Sequence, residues 1–242
     1  MDKWLEAGLN LLFPPHCAAC GRRGAWLCDA CIEAIIRFAP PLCPQCGQPR
    51  RAATLCPVCR RHPSLLAGIR SLGPFMRPLQ QAIHALKYEG LRALAPLLAD
   101  LLAEYWRCQP LPVDALVPVP LHRARERRRG YNQAVLLARE LSKRVNIPVL
   151  AEAVVRRRDT PPQVGLSREA RYENMKEAFA VGRVSPVGRH VLLLDDVLTT
   201  GATLEACAAP LLAAGARNVW ALTLARATLE ERVSPVANPK TA

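Results

Sequence analysis

Beyond about residue 65, apolar residues recur with two periods. Leu79, Ile83 and Leu86 fall at helical spacing, and Leu94, Leu97, Leu98, Leu101 and Leu102 repeat it after "YEG". Pro96 then lies in the first turn of the second helix, where a missing amide hydrogen breaks no bond. Asn132 to Arg144 reads as a further helix with Ala134, Leu137, Ala138 and Leu141 inward. Continuous apolar runs alternate with these helices. "DALVPVP", Asp114 to Pro120, reads as a short buried strand, "AVVRRR" as a weaker one, and "HVLLLD" and "VWALTLAR" as strong ones. A helix from about Ala202 to Ala214 separates the last two, and Gly215 can end it. Pro210 falls inside that helix, where it should kink it or limit its ordered length. Strand, helix, strand at this spacing means a parallel sheet with crossover connections, hence an α/β fold with helices flanking the sheet.

The periodicity fails in the first 64 residues, where hydrophobic bulk is scarce and eight of the ten cysteines lie. They form four C-x-x-C pairs: Cys17/Cys20, Cys28/Cys31, Cys43/Cys46 and Cys56/Cys59. Each pair can place two thiolates on one tetrahedral zinc, because a two-residue gap closes a tight knuckle around the metal. In "CAACG" and "CPQCG" a glycine follows the second cysteine, where positive φ lets amides approach the sulfurs. A segment with so small a core needs metal to fold, so two structural four-cysteine zinc sites are expected. Sequential pairing puts Cys17, Cys20, Cys28 and Cys31 in one site and Cys43, Cys46, Cys56 and Cys59 in the other; an interleaved cross-brace is the alternative. Cys108 and Cys207 stand apart and read as small buried hydrophobes. Three parts follow: a small N-terminal Cys-rich double zinc-ribbon domain over 1–64, a larger α/β domain over 65–228, and a Pro-rich, polar, flexible tail over 229–242.

Charge adds a partner class. The chain carries a net +13, and 28 of its 33 basic residues are arginine. Arginine's rigid fork suits phosphate, although a compositional bias that also supplies 22 prolines would raise arginine without any ligand. The opening "MDKWLEAGLNLLFPP" has too short an apolar run to span a membrane and lacks a secretory cleavage signature, which points to the cytoplasm. Cysteines stay reduced there, in keeping with metal ligation.

The densest chemistry lies in "VLLLDDVLTTGAT", Val191 to Thr203. Asp195 and Asp196 are expected just past the carboxyl end of a parallel strand, where such sheets bind ligands. Adjacent carboxylates can accept hydrogen bonds from a vicinal diol. Thr199, Thr200, Gly201, Ala202 and Thr203 supply hydroxyls and amides at the start of a helix, whose dipole favours an anion. A diol acceptor and a phosphate cradle a few residues apart fit a ribose 5-phosphate.

"LLLDDVLTTGATL" resembles the phosphoribosyl diphosphate (PRPP) signature of type I phosphoribosyltransferases. "LKYEG" at Leu86 to Gly90, "VPVPLHRARERRRGYNQA" at Val117 to Ala134, Arg156 to Phe179 and the cysteine pairs together resemble the ComF family of competence-associated proteins. The resemblance implies a type I phosphoribosyltransferase-like sheet and PRPP bound with Mg²⁺. It implies that Lys87 and the loop after the strand at Asp114 to Pro120 lie near the diphosphate, with His122 and Arg123 of that loop as further donors. No proton-transfer residue stands out, so catalysis would rest on positioning.

From His122 to Arg158 there are eleven basic residues against three glutamates, +8 of the net charge. Arg125, Arg127, Arg128 and Arg129 would form either a mobile flap over the diphosphate or a track for nucleic-acid phosphates, with Tyr131 the stacking aromatic. The family resemblance implies service in uptake of single-stranded DNA beside a competence helicase. The alternative is an active transferase that releases pyrophosphate onto an unidentified acceptor.

Overall fold

The computed structural model describes residues 14–158 and 178–227. The expected C-terminal tail, the opening segment read for a membrane span or signal, and most of the Arg156 to Phe179 segment lie outside the described residues.

Two zinc-ribbon units come first, each a knuckle hairpin followed by a short helix. In the first, Gly21 N–H donates to the Cys17 carbonyl and Cys17 N–H to that of Arg22. In the second, Gly47 and Cys43 repeat the pattern, with Cys43 donating to Gln48. Gly21 and Gly47 take φ of 76° and 69°, as the sequence required of glycines closing these turns. The second cysteine pairs sit on helices α1 (Asp29–Glu33) and α2 (Pro57–Arg61), capped at their N-termini by Cys28 and Cys56.

The remainder is α/β. In chain order the elements are β1 (Gly68–Pro74), α3 (Leu79–Tyr88), α4 (Leu94–Cys108), β2 (Ala115–Pro118), α5 (Arg123–Arg129) and α6 (Gln133–Val145). Then follow β3 (Val154–Arg156), β4 (Phe179–Val181), β5 (His190–Leu198), α7 (Ala202–Ala213) and β6 (Asn218–Arg226). Four strands form a sheet of order β1-β6-β5-β2, every pair parallel. β3 and β4 make a separate antiparallel hairpin.

Alternation of side chains along β5 divides the core in two. Leu192 and Leu194 pack with Leu79, Leu86, Leu98 and Leu137 from α3, α4 and α6. Val191 and Leu193 pack with Val154, Phe179, Cys207 and Leu211 from the hairpin and α7. The ribbons seal the outer edge of β1: Ile69 N–H donates to the Gln45 carbonyl at 2.7 Å and Phe38 N–H to that of Leu72 at 2.8 Å.

Four expectations need correction. β1 and β4 carry too little alternation to be read as strands. The segment after β2 is a helix, α5, instead of a loop; it has no apolar stripe, and it is fixed by the His122 cap and by Gly130 at φ 80°. β5 continues to Leu198, so the two acids lie within the strand. Cys108, at the end of α4, is exposed, whereas Cys207 is buried as expected. Pro210 is accommodated inside α7.

Candidate functional site

Because Asp195 and Asp196 are consecutive on a strand, their side chains leave opposite faces of the sheet. They do not form the side-by-side acceptor pair that the sequence suggests. Asp196, 3% exposed, faces α3. Its Oδ1 lies 2.7 Å from Lys87 Nζ, and its Oδ2 is buried with no hydrogen-bond partner among the described residues. Burial disfavours the Lys87 ammonium, but the Asp196 carboxylate outweighs that and holds its pKa above the usual lysine range. Asp195 lies on the α7 face, and its Oδ1 accepts from its neighbour's backbone N–H at 2.8 Å. Burial, then the charge of Asp196, push the Asp195 carboxyl up to about 7, against the pull of Lys87 and Arg156.

The loop beyond β5 carries the T-T-G-A-T residues into α7. Thr199 is exposed, Thr200 and Thr203 are partly so, and Gly201 at φ 88° turns the chain into α7. Thr200 Oγ1 accepts weakly from Ala202 N–H at 3.4 Å. α7 begins at Ala202, directly after that turn, so its N-terminal amides lie next to it. Glu205 ties this helix to the ribbons: it accepts from Ser64 Oγ and, at 3.1 Å, from Leu65 N–H.

The other sequence candidates fall differently. Lys87 is engaged by Asp196. His122 caps α5, its Nδ1 accepting from Ala124 N–H at 3.3 Å, and Arg123 is exposed. Arg127 and Arg128 are exposed, and Arg125 and Arg129 are partly buried. Tyr131 is not an open stacking face: it is 6% exposed, its hydroxyl donates to the Leu86 carbonyl, and Arg92 lies 4.5 Å from its ring centre. Sequence reading missed Asn132, which caps α6 and donates to the Val119 carbonyl at 3.0 Å, anchoring the loop after β2. It also missed Arg156, close enough to stabilise ionised Asp195. The small polar cap residue before the apolar stripe of α6 is the only one of these signals a sequence displays.

The thiols group sequentially, as favoured over the cross-brace. Cys17, Cys20, Cys28 and Cys31 bring their sulfurs within 4.8 Å of one another, as do Cys43, Cys46, Cys56 and Cys59. Amides of Cys28 and Cys56 donate to Cys17 and Cys43 sulfurs at 3.4 Å. Burial works against the Cys17 thiolate, but backbone amides from Cys28, Cys20 and Ala19 outweigh it and hold it down to about 6. In the second group burial again opposes ionisation of Cys43, and the amides of Cys46, Cys56 and Gln45 bring it down to about 7. Four clustered sulfurs in each group, with N–H···S support, fit two structural zinc ions. For Mg²⁺, the free Oδ2 of Asp196 is the hard oxygen donor the reading needs.

Among the described residues no helix is long and apolar enough to cross a membrane. Two family models match the chain: a double zinc ribbon domain over residues 8–60 and a phosphoribosyl transferase domain over residues 131–240. The DNA utilization protein YhgH of Escherichia coli K12 is 37% identical over 209 residues, covering 82% of this chain and 91% of its own. Competence protein F of Haemophilus influenzae is 36% identical over 209 residues, covering 83% and 90%. Among solved structures, glutamine PRPP amidotransferase from B. subtilis aligns over 55% of this chain and 26% of its own, at 18% identity and a TM-score of 0.38.

Proposed function

The chain belongs to the ComF family of competence and DNA utilization proteins, and on that premise we propose that it binds PRPP with Mg²⁺ and serves the handling of single-stranded DNA in the cytoplasm, beside a competence helicase. The observation that carries the PRPP reading is the buried Oδ2 of Asp196, unpartnered among the described residues, one residue from Asp195 and a few residues before the T-T-G-A-T turn. A buried carboxylate oxygen without a donor is costly, and a ligand hydroxyl or a divalent cation would satisfy it.

In this reading the amides and hydroxyls from Thr199 to Thr203 hold the 5-phosphate, and Asp195 and Asp196 reach the ribose from the two faces of β5. Lys87 keeps Asp196 ionised and oriented, a positioning role in place of the direct diphosphate contact expected from sequence. Mg²⁺, when bound, would neutralise diphosphate charge. His122 and Arg123, at the start of α5, remain the candidate diphosphate donors. Arg127 and Arg128 offer exposed charge to a nucleic-acid backbone.

Calorimetric titration of PRPP with and without Mg²⁺ tests the reading. Saturable Mg²⁺-dependent binding supports it, and no heat at millimolar PRPP sinks it. Pyrophosphate release across nucleobases, amines and oligonucleotides separates binding from turnover: sustained release with one acceptor identifies an active transferase.

A further inference from the structure

Tyr88 closes α3, a helix whose preceding residues Ala85 and Leu86 are fully buried, yet it is itself 66% exposed. On the helix surface it shares a face with His84, four residues earlier, and their ring centres lie 4.9 Å apart at 50°. From the other element the Arg129 guanidinium lies 5.3 Å from the Tyr88 ring centre, and Gln133 Oε1 holds that guanidinium in place. The two helix ends are fixed to each other. Arg92 donates to the Gly130 carbonyl at 3.1 Å, and the Tyr131 hydroxyl donates to the carbonyl of Leu86, two residues before Tyr88.

We propose that Tyr88, flanked by His84 and Arg129, is a stacking platform for a nucleobase, placed so that the exposed arginines of α5 take the phosphates of the same strand. The inference rests on the single-strand reading above and gives it the aromatic that Tyr131 does not supply. An exposed aromatic beside a fixed guanidinium accepts any base, because every base has a π-face, and the neighbouring cations follow a backbone without reading sequence. The platform also borders the acidic site. Lys87, the residue before Tyr88, turns inward to Asp196, and the Tyr88 phenol is near enough to influence the Lys87 ammonium. A base held on Tyr88 would therefore stand at the rim of the proposed phosphosugar site.

The test uses the full chain and a single-stranded 12-mer carrying one 2-aminopurine, with an abasic 12-mer of equal charge alongside. Stacking quenches 2-aminopurine, so wild type should quench it, Tyr88→Ala should lose the quench and bind about 5- to 100-fold more weakly, and Tyr88→Phe should stay within about twofold of wild type. The abasic strand should not distinguish wild type from Tyr88→Ala. If Tyr88→Ala quenches and binds as wild type does, the platform is overturned; salt-sensitive binding of the abasic strand would then leave the single-strand reading standing. If neither strand binds wild type, both fall. Free AMP distinguishes the source of the base: competition near the strand's own Kd assigns the platform to a nucleotide, and feeble competition assigns it to a strand. Quenching that survives in Tyr88→Ala but vanishes in another surface variant overturns the assignment to this residue.

Discussion

Lys87 Nζ lies 2.7 Å from Asp196 Oδ1, joining the last turn of α3 to β5, while Oδ2 of the same carboxylate is buried and unpartnered among the described residues. One oxygen of the carboxylate is neutralised while the other is buried without a donor among the described residues. This is the arrangement of a preorganised acceptor, since no reorientation is needed when a donor or cation arrives.

Replacing both acids, Asp195→Asn with Asp196→Asn, should weaken PRPP·Mg²⁺ binding at least about tenfold, the loss of roughly one charge-assisted bond. Unchanged calorimetric affinity would remove the site assignment.

Removing the cation instead tests the pair's structural role. Lys87→Met leaves a carboxylate whose side chain is 4% exposed without a countercharge, and should cost about 3–5 kcal/mol in chemical denaturation. Adding Asp196→Asn should recover much of that loss. A single variant as stable as wild type would show that the charge is compensated elsewhere.

Asp195 should make the protein pH-dependent in an unusual direction. Its carboxyl binds a proton more tightly when folded, at about 7, than at its ordinary value of 3.8. The unfolded chain releases that proton first as pH rises. This residue's contribution is thus fully present below about pH 4, declines through the interval, and is lost above about 7. Asp195→Asn should flatten that decline in denaturation curves taken from pH 4 to 8. If PRPP·Mg²⁺ requires the ionised form, its affinity should rise with pH toward about 7 and then level, with proton release measurable in buffers of different ionisation enthalpy.

What the sequence displayed was whatever rests on period or on spacing. β5, α7 and β6 were readable because Val191 to Leu194 and Val219 to Leu222 are continuous apolar runs, and the metal sites because a thiol pair needs only its own two-residue gap. β1 was hidden because Gly68, Arg70 and Gly73 break its pattern. Gly68 and Gly73 are glycines for reasons no local window contains: a Cβ on Gly68 would come 2.4 Å from Trp220, and one on Gly73 1.9 Å from the Ile36 carbonyl oxygen. α5 escaped because none of its residues is buried in the core, so termini and not periodicity define it. The exchange between Tyr131 and Tyr88 is of the same kind, decided by a carbonyl 45 residues away.

Elemental analysis should find about two zinc ions per chain, and Cys20→Ser and Cys46→Ser should each remove about one. A metal-free chain that remains fully folded would contradict the structural role.

If α5 follows a strand's phosphates, replacing Arg123, Arg127 and Arg128 with alanine should flatten the log–log salt dependence of single-strand binding by about 2, roughly 0.7 for each lost contact. Affinity should fall alike for all sequences. Loss confined to one sequence would mean that these arginines read bases.

The bonds from Ile69 to the Gln45 carbonyl and from Phe38 to the Leu72 carbonyl give β1 a neighbour on the side away from β6. A truncated protein lacking the cysteine-rich front would bare a row of amides and carbonyls, an invitation to pair with another molecule. Such a fragment should self-associate, and the transferase-like half is best studied with its metal-bound guard attached.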